Sequence, residues 1–269
     1  MDNRSIGVFD SGLGGLTAVK QIMRELPDES IIYFGDTGRV PYGPRTRETI
    51  IKYSRNDINF LLSKNVKMIV VACGTVSSTA LPTIKNDYQI PIIGVVEPTA
   101  NAALTATRNG KIGIIGTNGT IKSGAYEKFI KGVRGDVVTY SRACPLFVPL
   151  VENGHFDTKV AELVIEEYLA EIKKQGVDTL ILGCTHYPLL KKAIGKFMGD
   201  GVTLIDAGAE TAKELKSRFD KNELHSETHD KKQYQYFVSD DVEGFAELGG
   251  IFLNHKIDGQ VEKIDIEKY

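Results

Sequence analysis

Residues 68–79 read Met68-Ile-Val-Val-Ala-Cys73-Gly-Thr-Val-Ser-Ser-Thr79, an apolar run that ends abruptly in small and hydroxyl-bearing residues. An apolar run without alternation is typical of a strand covered on both faces, as in a parallel sheet. The hydroxyl-rich residues that follow suit the start of a helix. A second stretch, Leu180-Ile-Leu-Gly-Cys184-Thr-His186, repeats the arrangement. We therefore expect two parallel strands that each lead into a cysteine.

Similar apolar runs recur along the chain and alternate with longer amphipathic stretches, such as Arg45–Asn65 and Thr158–Gln175. Alternating strands and helices predict a doubly wound α/β fold with right-handed crossovers. The predicted buried face of the second helix carries Val160, Leu163, Val164, Tyr168, Leu169 and Ile172. The predicted strands are Ser5–Asp10, Ser30–Asp36, Met68–Cys73, Pro91–Glu97, Lys111–Gly116, Val137–Ser141, Thr179–Gly183, Thr203–Asp206 and Gln233–Ser239.

The chain contains a weak internal repeat. The opening segment Ile6-Gly-Val-Phe-Asp-Ser-Gly12 resembles Ile112-Gly-Ile-Ile-Gly-Thr-Asn-Gly119, and the cysteine-bearing strands form a second matched pair. A length of 269 residues suits two domains of ordinary size. The repeat predicts two similar α/β units, although such short strings also recur in unrelated parallel-sheet proteins.

Composition argues against several classes of partner. With 33 basic and 35 acidic residues the net charge is −2, and no basic block is present to bind nucleic acid or an acidic membrane. The longest stretch without charged residues, Met68–Ile84, is too short and too polar to span a bilayer. Three cysteines and no signal-peptide pattern predict free thiols in a reducing compartment, so we expect a cytoplasmic protein.

Chemically active side chains follow several predicted strands at their carboxyl ends, where ligands bind in open α/β sheets. This placement predicts one site on a common edge. The residues are Asp10 and Ser11, Asp36 with the segment Pro41–Pro44, Cys73 to Thr75, Thr117, and Cys184 to His186.

The two strand-end cysteines are the strongest candidates for catalysis. Cys73 and Cys184 each precede a segment that can begin a helix, and the partial positive charge of a helix N-terminus lowers the pKa of a thiol. Either cysteine alone would more simply be a small buried hydrophobe. Their matched positions favour a functional pair, whereas Cys144 lacks this context and is interpreted as core packing.

No cofactor or metal is expected. The segment Ser11–Leu16 is glycine-rich, but Thr17 stands where a dinucleotide-binding loop needs its last glycine. His225 and His229 are spaced like metal ligands on a helix, yet no further ligands accompany them in this charged segment.

Five blocks of the sequence together form a recognisable set: Asp10-Ser-Gly-Leu-Gly-Gly-Leu16, Pro41-Tyr-Gly43, Val71-Ala-Cys-Gly-Thr75, Val151-Glu-Asn-Gly154 and Gly183-Cys-Thr-His-Tyr-Pro-Leu189. Their content and order resemble bacterial glutamate racemases. The resemblance implies a cofactor-independent isomerase that interconverts L- and D-glutamate and supplies D-glutamate for peptidoglycan. It also implies a homodimer whose protomers have two domains, 1–97 plus 207–269 and 98–206, with the active site between them.

The same resemblance assigns roles to individual residues. Cys73 and Cys184 match the two proton-transferring thiols, assisted by Asp10, Glu152 and His186. The positions that match substrate contacts are Asp10, Ser11, Tyr42, Gly43, Gly74, Thr75, Thr117, Thr185 and His186. At position 74 the family usually has asparagine, so the amide that would hold the substrate is missing here.

Three alternatives stay open from the sequence. Cys184 and His186 could form a nucleophilic hydrolase pair, which would leave Cys73 unexplained. Both thiols could be packing groups in a small-ligand binding module without catalytic activity. The third alternative, a racemase that acts on aspartate or another acid, differs least from the main interpretation. His186 and the following Tyr-Pro-Leu189 favour glutamate over these substrates.

Overall fold

The computed structural model describes residues 2–222, 224–226, 232–257 and 261–269. Its strands are β1 (Ile6–Asp10), β2 (Ile31–Gly35), β3 (Met68–Val71), β4 (Ile92–Gly94), β5 (Lys111–Gly116), β6 (Val138–Ala143), β7 (Thr179–Leu182), β8 (Thr203–Asp206), β9 (Tyr234–Val238) and β10 (Val261–Lys263). Its helices are α1 (Leu16–Glu25), α2 (Arg47–Ser63), α3 (Gly74–Thr79), α4 (Leu81–Ile84), α5 (Val96–Ala106), α6 (Asn118–Ser123), α7 (Ala125–Val133), α8 (Phe147–Glu152), α9 (Lys159–Lys174), α10 (Lys191–Met198), α11 (Ala207–Asn222) and α12 (Val242–Leu253). Short 3₁₀ helices lie at Lys85–Asp87, Tyr187–Leu190 and Ile266–Lys268.

The strands form two separate sheets, and all strand pairs are parallel. The first sheet has the order β10-β9-β2-β1-β3-β4, and the second has the order β6-β5-β7-β8. The inner order β2-β1-β3-β4 is therefore repeated in the second sheet. In each sheet the chain reverses its winding direction beside the first strand, which opens a crevice there. The predicted fold class, two similar doubly wound α/β domains, is confirmed.

Both faces of the first sheet are buried, which explains the unbroken apolar character of its strands. Ile6 and Val8 of β1 belong to the core that includes α1 and α11, while Phe9 packs on the other face under α2. Helix α11 follows β8 of the second sheet but packs against α1, so the chain returns to the first domain. The predicted division at 97/98 falls inside α5, and the exact domain limits stay a prediction.

Each of the nine predicted strands overlaps an observed strand, with two differences. The prediction Pro91–Glu97 is wrong at its end, because β4 stops at Gly94 and α5 begins at Val96. Pro98 lies in the first turn of α5, where no intrahelical N–H is required. The second difference is β10, which the sequence does not predict because Val261–Lys263 holds a single apolar residue.

Helix α9 begins as expected at Thr158, whose side chain accepts a hydrogen bond from the Ala161 amide. Its predicted buried face is partly wrong, because Val160 and Leu163 are 50% and 55% exposed. The face that packs instead runs along Ala161, Ile165, Tyr168, Leu169 and Ile172. Within the described ranges, no helix has both the length and the apolar character needed to cross a membrane.

The packing of α9 can be tested with two leucines of the same helix. Leu169 is fully buried and Leu163 is mostly exposed. Replacing either leucine with alanine changes helix propensity equally, so a difference between the two variants reports burial. We expect Leu169→Ala to lower the free energy of unfolding by roughly 2–5 kcal/mol, as cavity-forming changes do. Leu163→Ala should change it by about 0.5 kcal/mol or less. Urea denaturation followed by circular dichroism measures both, and equal losses would contradict the observed face.

Candidate active site

The carboxyl ends of the two sheets face each other and bring together the residues predicted from the strand ends. Asp10 ends β1 and Cys73 follows β3, while Thr117 follows β5 and Cys184 follows β7. Hydrogen bonds join the two edges directly. Thr75 Oγ1 lies 2.8 Å from Thr117 Oγ1, and Thr17 Oγ1 donates to the Thr185 carbonyl at 2.8 Å.

Cys73 lies immediately before α3, and its thiol is buried with 4% of the residue exposed. Its Sγ donates to Ser11 Oγ at 3.5 Å. Burial, reinforced by the nearby Asp10 carboxylate, raises the pKa of Cys73 to about 12. The prediction of a lowered pKa at this helix N-terminus is therefore wrong, because burial and the Asp10 charge outweigh the effect of the short helix. Cys73 is a neutral thiol near pH 7.

Asp10 is buried beside this thiol and is incompletely satisfied. Its Oδ2 accepts hydrogen bonds from the amides of Gly12 and Gly15, at 3.3 and 3.0 Å. Its Oδ1 has no hydrogen-bond partner among the described residues. Burial raises the pKa of Asp10, and the positive charge of His186 opposes that rise. A buried carboxylate oxygen without a partner is costly, which makes this atom a natural acceptor for a cationic ligand group.

The second thiol has a different environment. Cys184 Sγ lies 4.0 Å from His186 Nδ1, and His186 Nε2 lies 2.9 Å from Glu152 Oε1. Burial lowers the pKa of His186, but its hydrogen bonds to Cys184 and Glu152 outweigh this and raise the pKa to about 10. His186 is therefore an imidazolium near neutral pH. The three residues predicted to act together from α8 and the segment after β7 are in contact.

Most of the predicted substrate-binding residues surround the two thiols. Thr185 Oγ1 lies 3.4 Å from His186 Nδ1, and Gly43 packs against the Thr117 side chain. Cys144 is fully buried in the core and its Sγ donates to the Arg142 carbonyl at 3.7 Å, in agreement with the packing interpretation. His229 lies outside the described residues.

A buried polar network supports the loop that carries Tyr42 and Gly43. The Tyr42 hydroxyl donates to Asp36 and, at 3.2 Å, to Asp57 Oδ2. Arg39 binds the same two carboxylates at 2.6 and 3.0 Å. The Tyr42 phenol is thus engaged away from the thiols, and its role toward a substrate stays a prediction.

Sequence reasoning missed this network, although one signal was visible. Asp57 lies on the apolar face of α2 with Ile50, Ile58 and Leu61, where a charged residue needs a partner. Burial and the charge of Asp36 raise the pKa of Asp57 well above its usual range.

A groove of about 1260 Å³ lies between the two domains. It begins at Gly43 and Gly119 and extends past Ser78 and Pro98 toward Lys128. Neither cysteine lines this groove, and Cys73 and Cys184 are 4% and 7% exposed.

Comparison with known proteins agrees with this geometry. Residues 9–215 match the Asp/Glu/hydantoin racemase family. The chain is 47% identical over 264 residues to the glutamate racemase of Geobacter metallireducens, covering 98% of this chain and 97% of that protein. Among solved structures, glutamate racemase RacE1 from Bacillus anthracis superposes with a TM-score of 0.94 at 38% identity, covering 98% of both chains. The glutamate racemase of Francisella tularensis in complex with D-glutamate has a TM-score of 0.92 at 39% identity, covering 100% of both.

The chain therefore belongs to the Asp/Glu/hydantoin racemase family. It is an amino-acid racemase, and so an isomerase.

The raised pKa of His186 makes the stability of the protein depend on pH. A group whose folded pKa is raised stabilises the fold below its ordinary pKa, here 6.5, and loses that contribution as the pH rises through about 10. We expect the free energy of unfolding to fall more steeply across this window in the parent than in His186→Gln. Urea titrations at several pH values measure the slopes, and the exposed His155→Gln is the control. Equal slopes for the parent and His186→Gln would contradict the assigned protonation.

Proposed function

We propose that the enzyme interconverts L- and D-glutamate without a cofactor, using Cys73 and Cys184 as acid and base on opposite faces of the α-carbon. The observation that carries this proposal is the contact between the two thiol-bearing segments, where Gly74 after Cys73 lies against the backbone of Gly183 before Cys184. Beside Cys73, the buried Asp10 has a carboxylate oxygen without a hydrogen-bond partner among the described residues. The relatives named glutamate racemase, one of them in complex with D-glutamate, support glutamate as the substrate.

Inversion requires that one proton leaves one face and another arrives at the opposite face. In the D-to-L direction, the Cys73 thiolate removes the α-proton and becomes a thiol, and the Cys184 thiol protonates the carbanion and becomes a thiolate. The reverse reaction exchanges these roles. The assignment of Cys73 to the D-enantiomer follows the family resemblance. A positioned acid–base pair of this kind contributes about 10²–10⁴-fold to the rate.

The charges around each thiol differ, and they suggest how each is activated. Beside Cys184, the imidazolium of His186 stabilises negative charge on sulfur, with Glu152 holding the ring. Beside Cys73, the Asp10 carboxylate opposes ionisation of the thiol. We assign Asp10 Oδ1 to the substrate ammonium, which cancels that opposing charge when it binds. Substrate binding then lowers the pKa of Cys73 and allows the thiol to ionise.

Hydroxyl groups of both domains are placed to hold the carboxylates and the developing negative charge. Thr75 and Thr117 satisfy each other through their hydroxyl groups, and a substrate carboxylate would replace that mutual hydrogen bond. Ser11, Thr185 and the backbone N–H of Gly74 complete the proposed set.

A hydrolase is the second candidate, because Cys184, His186 and Glu152 are in hydrogen-bond contact. This alternative leaves Cys73 without a function, and hydrolysis does not fit a family of isomerases. Mass spectrometry that detects an acyl adduct on Cys184 would favour it.

The biological setting follows from the resemblance and is part of the proposal. We place the enzyme in the cytoplasm as a homodimer that supplies D-glutamate for peptidoglycan synthesis, with no nucleic-acid or membrane partner.

The two-thiol reaction can be tested in D₂O with each enantiomer of glutamate. Because the serine hydroxyl is a far weaker acid than a thiol and hardly ionises near neutral pH, we expect Cys73→Ser and Cys184→Ser each to lose about 10²–10⁴-fold in racemisation rate. Proton NMR measures exchange of the α-hydrogen, and circular dichroism measures racemisation.

Cys144→Ala is the matched control, because it removes a thiol that lies in the core outside the site. It should racemise glutamate at the parent rate for equal amounts of folded protein. Parent-like racemisation and exchange in both serine variants would refute the mechanism. Faster turnover of aspartate than of glutamate by the parent would refute the assignment of glutamate as the substrate.

A further inference from the structure

Thr17 interrupts the glycine-rich pattern of the first loop, and it lies at the boundary between the two domains. In a dinucleotide-binding loop this position is a glycine, which lets the helix pack closely on the strand. Here Thr17 is the second residue of α1 and is 7% exposed. Its Oγ1 lies 2.8 Å from the carbonyl oxygen of Thr185, which stands between Cys184 and His186. The hydroxyl therefore joins the first domain to the segment that carries the second thiol.

The Thr185 carbonyl depends on this donor because of its local sequence. The residue three positions ahead is Pro188, in the first turn of the 3₁₀ helix Tyr187–Leu190, and proline has no N–H to donate. The N–H of Leu189, one residue further, donates to the His186 carbonyl at 3.2 Å. Neither of the two amides that would usually serve the Thr185 carbonyl is available to it. The Thr17 hydroxyl takes their place.

The Thr17 hydroxyl has a single proton and two acceptors within reach. Its Oγ1 also lies 2.9 Å from the carbonyl oxygen of Gly14. That carbonyl already accepts the backbone N–H of Thr17 at 3.0 Å, whereas the Thr185 carbonyl lacks its usual amide. Because a hydroxyl donates one hydrogen bond at a time, we assign the proton to the bond with Thr185.

The first domain meets the same segment at two further places. A Cβ atom placed on Gly14 would overlap the Thr185 side chain and the His186 ring. The ring of Phe252, in α12, packs edge-to-face on His186, with the ring centroids 5.4 Å apart. Both of these contacts involve side chains of the segment. Of the three, the Thr17 bond alone binds its backbone.

We propose that Thr17 is a positioning residue for the second thiol, because its hydroxyl fixes the backbone that carries Cys184 and His186 against the first domain. The inference rests on the proposed function, since the placement of Cys184 matters for the rate if that thiol exchanges a proton with the substrate. Thr17 acts through the Thr185 carbonyl, so its loss should impair proton transfer more than substrate binding. A misplacement of about 1 Å can cost about 100-fold in rate.

The experiment compares the parent with Thr17→Val, which replaces the hydroxyl with a methyl group of similar size. Thr17→Ala is a second variant without the donor, and Thr17→Ser keeps the donor. The matched control is Thr211→Val in α11. Thr211 is also buried, but its Oγ1 donates to the Ala207 carbonyl of the same helix, at 2.7 Å.

For Thr17→Val and Thr17→Ala we expect kcat with both enantiomers of glutamate to fall by about 10–100-fold, with a smaller change in KM. Thr17→Ser and Thr211→Val should stay close to the parent. Circular dichroism and the thermal midpoint check that equal amounts of folded protein are compared.

Deuterium at the α-carbon of the substrate shows which thiol is impaired. In the proposed reaction Cys184 removes the α-hydrogen of L-glutamate, and Cys73 removes that of D-glutamate. If Cys184 transfers protons more slowly, cleavage of the C–H bond limits the reaction of L-glutamate more strongly, so the isotope effect on kcat/KM rises. With D-glutamate, reprotonation by Cys184 becomes the slow step, so the isotope effect falls. A general loss of stability would not separate the enantiomers.

Amide hydrogen exchange measures the hold on the segment without requiring activity. We expect peptides that cover residues 184–190 to exchange faster in Thr17→Val than in the parent, because the segment loses its backbone contact with the first domain. Thr17→Ser should restore the slow exchange. Peptides from α9 serve as the internal reference and should not change.

Parent-like kcat or parent-like exchange in Thr17→Val would overturn the positioning role, as would a loss of the same size in Thr17→Ser. Isotope effects that do not rise for L-glutamate and fall for D-glutamate would also overturn it. If neither variant without the donor folds, the bond serves stability and the proposal is wrong. A parent without racemase activity on glutamate would refute the proposed function instead, and hydrogen exchange alone would then decide whether Thr17 holds the segment.

Discussion

The parallel register of the two sheets is the constraint on which the site depends. In the first sheet Phe9 is paired with Val71, so Asp10 and the segment leading to Cys73 leave the sheet side by side. In the second sheet Ile115 is paired with Leu182, which places the segments leading to Thr117 and Cys184 together in the same way. A shift of one residue in either sheet would turn these side chains to the wrong face.

The two halves of the site share a fold but differ in charge. The first domain surrounds its thiol with a carboxylate and a hydroxyl, while the second provides an imidazolium held by Glu152. An amino acid carries both an ammonium and carboxylates, so a site with separated charges can orient it. In the proposed reaction, this asymmetry would let two similar units approach one chiral carbon from different sides.

Strand positions and the edge that carries the site were predictable, because unbroken apolar runs and residues at their ends are local properties of the sequence. The contacts that determine the protonation of the site residues were harder to predict from the sequence. The pKa of Cys73 depends on tertiary burial and on the nearby Asp10, which no local pattern shows. The network of Asp36, Arg39 and Asp57 joins residues from a loop and a helix, and its members become partners through tertiary packing. Gly74 was recognisable as unusual, but its close neighbour Gly183 lies far away in the sequence.

The hydrogen bond between Thr75 and Thr117 has a consequence for inhibitors. These two hydroxyls satisfy each other across the cleft, so a molecule that binds there must replace their mutual hydrogen bond. Compounds that replace this bond and also neutralise Asp10 would meet the smallest penalty, whereas purely apolar compounds would leave both groups unsatisfied.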